Sequence, residues 1–147
     1  MKQILGAALL CLGSAASAQQ VSECDWRASA QAVVEPWEQN SRSFANGDVR
    51  LALLDTIEPG AAAMHILVLS PPYDELGGRQ CRVISYGDGF GFAGIDFATL
   101  QAGYDPAYGL LFDVHAQVFD PDSGGTRPMA LRFTLNQATG GIEVWRQ

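Results

Sequence analysis

Asp113 and His115 stand two residues apart in the run LLFDVHAQV, residues 110–118, and their spacing suits acid–base chemistry. A carboxylate that holds one imidazole nitrogen can orient the ring so that the other takes a proton. In a segment of period two, the same spacing puts Asp113, His115 and Gln117 on one face, opposite Phe112 and Val114. Such a stripe is also the ordinary solvated face of an antiparallel strand. His65 lies within the apolar run MHILVL and reads as a partly buried, hydrogen-bonded histidine. Two distant histidines plus an acid make no specific zinc signature, and no metal or other cofactor is expected.

Residues 89–94, GFGFAG, match the glycine spacing G-x-G-x-x-G of dinucleotide-binding loops. That motif requires a strand before it, a helix opening within it and an acid about 20 residues on. Here phenylalanine alternates with glycine, Ile95 and Phe97 continue a period of two, and no capped helix follows. Gly87-Asp88 fits a two-residue hairpin turn, so Gly89 onward reads as a returning strand whose glycines allow bending or close approach. Phe90 and Phe92 are candidate binding residues if a ligand lies flat on that surface. Asp120 to Gly124, DPDSG, is similar to the start of a calcium loop, but Leu131 occupies the twelfth position, where a glutamate is needed. The loop SPPYDELGG, residues 70–78, combines stiff prolines with acids and makes Tyr73 a candidate partner contact. No serine stands in G-x-S-x-G.

These residues need elements to position them. Ser22 as cap, Glu23 and Asp25 in the first turn and Pro36 near the stop predict one N-terminal helix, with Trp26, Ala30, Val33, Val34 and Trp37 as its apolar stripe. From Phe44 the period becomes two. Asn46-Gly47 marks a hairpin, and MHILVL reads as a strand covered on both faces, ended by Pro71-Pro72. Asp105…Gly109, Asp120…Gly124 and Asn136…Gly140 repeat one turn, Asx first and glycine four residues later, at intervals of 15 and 16 residues. The period-two segments between them predict a β-meander. The expected fold is mainly β, α+β by strict count: a helix packed on a curved antiparallel sheet, barrel or sandwich of seven or eight strands.

Lys2, the apolar run ILGAALLCL and Ala16-Ser17-Ala18 form the pattern of a cleaved signal peptide spanning residues 1–18. Removing it from 147 residues leaves 129, one exported domain. It also removes Cys11, so Cys24 and Cys81 remain as a pair that an oxidising compartment joins in a disulfide. Lys2 is the single lysine among nine basic residues; without it, eight arginines oppose 16 acids, a net charge of −8. An acidic surface disfavours nucleic acid and anionic membranes, and no integral membrane segment is expected after cleavage. The chain is read as periplasmic or secreted. The leading functional expectation is a non-catalytic binding or accessory domain for an unknown protein or small molecule. Alternatives are a carrier whose apolar cavity is lined by Phe90, Phe92, Phe112 and Phe133, and a hydrolase using Asp113 and His115.

Overall fold

The computed structural model describes residues 21–146; the predicted signal peptide and its cleavage site lie outside them. The described residues form nine strands in two antiparallel sheets. β1 (Val21–Glu23), β2 (Ser41–Phe44), β3 (Val49–Asp55), β4 (Met64–Tyr73) and β5 (Arg79–Ile84) form sheet A in the order β1-β5-β4-β3-β2. β6 (Gly94–Asp105), β7 (Gly109–Asp120), β8 (Gly125–Leu135) and β9 (Ile142–Arg146) form sheet B as a simple meander. A continuous core lies between the sheets. Val49, Leu51, Leu53, Ile66, Val68 and Ile84 of sheet A meet Phe112, Val114, Leu131, Phe133 and Leu135 of sheet B.

The three Asx turns form as their spacing predicts. The Asp105 carboxylate accepts the Ala107 amide at 2.7 Å, that of Asp120 accepts the Asp122 amide at 3.3 Å, and the Asn136 side chain accepts the Ala138 amide at 3.0 Å. Gly109, Gly124 and Gly140 take φ of 92°, 70° and 76°, the left-handed region where a side chain is strained. Asn46-Gly47 turns β2 into β3 in the same way, with φ of 56° and 96°.

The predicted N-terminal helix does not form. Residues 21–23 pair with β5, so Ser22 is a strand residue opposite Val83 and caps nothing. Two short 3-10 turns follow, Trp26–Ala28 and Ala30–Ala32, and the only α-helical turn among the described residues is α1 (Trp37–Asn40), which Pro36 precedes. The reason lies in partners distant in sequence. Cys24 is bonded to Cys81 of β5, with Cα atoms 5.4 Å apart, and its amide donates to the Cys81 carbonyl at 3.2 Å. Further on, Val34 donates its amide to Leu53 and Val33 bridges Leu54. The segment therefore runs along sheet A, and the expected stripe is broken: Trp26 and Trp37 are 69% and 49% exposed.

This segment covers the outer face of sheet A. Ala32, Ala52, Leu54, Leu67 and Val83 form a second small core there, with Cys24, Ala28, Val33 and Cys81 packed against it. The MHILVL strand is thus covered on both faces, as its composition predicts. It does not end at the prolines. β4 runs on to Tyr73, with a shift of register between Ser70 and Tyr73, and the residues that lack amides sit in that irregularity.

GFGFAG is likewise not a strand. The amides of Tyr86 and Gly87 both donate to the Phe90 carbonyl at 3.0 Å, closing a turn, and β6 starts only at Gly94. In between, Phe92 bridges Met64 of β4, donating and accepting backbone bonds at 2.7 and 3.0 Å. The stretch is the crossover from sheet A to sheet B. A Cβ on Gly91 would lie 2.3 Å from the Met64 carbonyl oxygen, 2.8 Å from that of Ala62 and 2.9 Å from His65 Nε2. Backbone and an imidazole fill the space that this glycine leaves.

Candidate functional site

Sheet A is covered on both faces, whereas the outer face of sheet B is open. Strand pairing arranges that face in transverse rows. Gln101, Asp113, Arg132 and Trp145 form one row across all four strands, and Gly103, Leu111, Thr134 and Glu143 form the next. On the other side lie Asp96, His115 and Ala130, then Gly94, Gln117 and Pro128.

The rows do not succeed one another evenly. Between the pairs Asp96–His115 and Gln101–Asp113, residues 97–100 of β6 face the single residue Val114. A bulge of this size bends the strand. Thr99 fills the broken ladder: its hydroxyl donates to the Asp96 carbonyl at 2.7 Å and accepts the His115 amide at 3.0 Å. Phe97 and Leu100 turn into the core. Arg42 of β2 secures the bulge by donating to the Leu100 carbonyl at 2.7 Å and standing 5.8 Å from the centre of the Phe97 ring.

Two open grooves lie end to end along β7. One, of about 730 Å³, is formed around His115, Gln117, Gly94, Asp96 and Ala130. The other, of about 390 Å³, is formed around Gln101, Gly103, Leu111, Asp113, Arg132 and Trp145. Arg132 Nε donates to Asp113 Oδ2 at 2.5 Å. Trp145 is 43% exposed, and the Tyr108 ring meets it edge-on with centroids 6.4 Å apart.

Asp113 and His115 share this face as the period-two reading predicts. They do not form an acid–base pair: the Asp113 carboxylate is engaged by Arg132, and no hydrogen bond joins it to His115 among the described residues. Tyr73 lies far along sheet A, half exposed, where its hydroxyl donates to Asp48 at 2.9 Å. That bond pushes the hydroxyl above its ordinary pKa. The four phenylalanines grouped from sequence are dispersed. Phe90 is 56% exposed in the crossover turn, and Phe92 is buried beside Tyr86 at 5.8 Å. Phe112 and Phe133 stack on each other at 4.9 Å between the sheets.

A second polar cluster is buried beneath the N-terminal segment. Arg27 donates to both Asp25 oxygens, to Ser22 Oγ at 2.9 Å and to Ser85 Oγ at 3.0 Å. Ser85 Oγ, which accepts from Arg27, also lies 2.8 Å from His65 Nδ1, and the imidazole tautomer sets which of the two donates. Protonating His65 would set a second cation across one hydroxyl from the guanidinium. Burial first and the Arg27 charge second therefore lower its pKa to about 4, against smaller opposing contributions from Asp25 and Asp55. With Arg27, His65 and Ser85 all nearly sealed from solvent, this cluster serves the fold.

It has a pH signature. A histidine whose pKa is 6.5 unfolded and about 4 folded contributes stability that is complete above pH 6.5 and is lost as the pH falls toward 4. Between pH 7.5 and pH 5 the folded protein should lose about 2 kcal/mol. Urea unfolding across that range checks this, and His65→Gln should flatten the dependence. An equal slope in the variant would assign the effect to other groups.

Among the described residues, no group of three or more His, Cys, Asp or Glu side chains is placed to hold a metal ion, and no helix is long and apolar enough to cross a membrane. No protein-family model, curated protein or solved structure matches this chain. The sequence reading picked out Asp113 and His115 but missed Gln101, Arg132 and Trp145 beside them. The turns carry that signal, since loop length sets hairpin register. Asp120 opposite Gly125 places Asp113 opposite Arg132, and Leu135 opposite Ile142 places Arg132 opposite Trp145.

Proposed function

We propose that this protein is a non-catalytic, exported binding domain whose ligand lies along the outer face of sheet B. The carrying observation is that, among the described residues, this face combines length, open grooves and a mixed set of aromatic, amide and charged side chains. Sheet A spends one face on the core and the other on its disulfide-tied cover. Export is supported by the signal-like N-terminus and by the Cys24–Cys81 bond, which suits an oxidising compartment.

The competing reading is a hydrolase using Asp113 and His115. It requires Asp113 to leave Arg132 before it can orient the imidazole. Purified protein is expected to turn over no member of a panel of esters, glycosides and peptides. Turnover that disappears in both Asp113→Ala and His115→Ala would make the protein an enzyme and end the binding-domain reading.

A further inference from the structure

We propose that the outer face of sheet B binds a neutral saccharide chain, an inference that rests on this face being the binding surface. A sugar ring presents apolar C–H faces and an edge of hydroxyls that each donate and accept. The row Gln101–Asp113–Arg132–Trp145 offers the complement to both: an exposed indole beside a carboxylate that accepts, a guanidinium that donates and an amide that does each.

Charge narrows the ligand. Asp113 and Arg132 neutralise each other, while Asp96 and Glu143 add carboxylates to the same face. The whole chain is acidic, with a formal net charge of −7. An anionic polymer is repelled by such a surface. Shape narrows it further. Two open grooves in line along β7 suit a polymer that enters and leaves, rather than an enclosed small molecule. A peptide binding by strand addition would need free backbone groups at a sheet edge, and the groove floor is β7, paired to both β6 and β8.

The glycines of the groove floor agree. Gly94 and Gly103 have no positive φ, and a Cβ on either would meet its nearest neighbour at 3.8 or 4.0 Å, ordinary contact. Nothing in the backbone requires glycine there, unlike Gly91 or Gly109. Their bare surface leaves the troughs beside Gln117 and Leu111 open.

The test is titration of the full exported chain with cellohexaose, chitohexaose, an oligogalacturonate and a neutral Gly/Ser hexapeptide, followed by amide chemical shifts and calorimetry. The expected result is binding of a neutral hexasaccharide with shifts confined to β6–β9. Trp145→Ala should weaken it about tenfold or more. Gly103→Val should abolish it while unfolding stays unchanged, and Trp26→Ala, another exposed tryptophan, should leave it intact. Shifts on this face with only the peptide or the oligogalacturonate would overturn the neutral saccharide and keep the binding face. Saccharide shifts elsewhere, or a face silent to every probe, would overturn both.

Discussion

Gly91→Ala is expected to destabilise the fold by about 3 kcal/mol or more, because its methyl group meets atoms that cannot retreat. Two are the carbonyl oxygens of Met64 and Ala62, fixed by hydrogen bonds: Met64 accepts the Phe92 amide and Ala62 the Gly91 amide, each at 2.7 Å. The third is the His65 ring, held on its other side by Ser85. Relief would require opening the crossover between the sheets. Gly89 is the natural comparison within the same six residues. It has φ of 76° but open space around it, so Gly89→Ala should cost only the backbone strain, about 1–2 kcal/mol. Urea unfolding of the two variants measures the difference. Equal losses would mean that the close approach at Gly91 has no energetic weight.

Removal of the Cys24–Cys81 disulfide should have a comparable or larger effect. The bond closes a loop of 57 residues, and the chain-entropy estimate for that length is about 4 kcal/mol. The location of the damage is as specific as its size. β1 pairs only with β5, over three residues, and the irregular cover of residues 24–34 adds few backbone bonds of its own. Cys24→Ser with Cys81→Ser should therefore loosen residues 21–34 first and expose Leu54, Leu67 and Val83 of sheet A. Hydrogen exchange should accelerate there and at β5, while β7 and β8 keep their protection. An unchanged urea midpoint in the double variant, or exchange rising evenly over both sheets, would show that the N-terminal cover is held without the bond.

Both predictions bear on what could be read in advance. By local pattern the glycines of GFGFAG resemble a nucleotide loop or a bent strand, and either reading treats them as neighbours in one element. They do separate jobs: Gly89 closes a turn, and Gly91 lets a crossover pass against β4. That distinction depends on Ala62, Met64 and His65, some 26 to 29 residues earlier in the chain. The N-terminal helix failed for the same kind of reason. Its caps and stripe were locally consistent, but pairing with β5, the bond to Cys81 and the bridge to Leu54 outweighed a weak local preference.

By itself, the sequence determined the features with short-range causes. Period-two alternation set which side chains of β7 and β8 face inward, Asx and glycine closed the three turns, and those turns already contained the register that aligns Asp113 with Arg132 and Trp145. Tertiary structure alone decided that Arg42 would hold a bulge in β6, that Thr99 would stand in for a ladder partner of His115, and that one sheet would be covered twice while the other kept a free face. A turn is settled by the few residues that form it. A bulge, a cover or an open groove depends on which distant surfaces meet, and that is fixed only when the two sheets pack together.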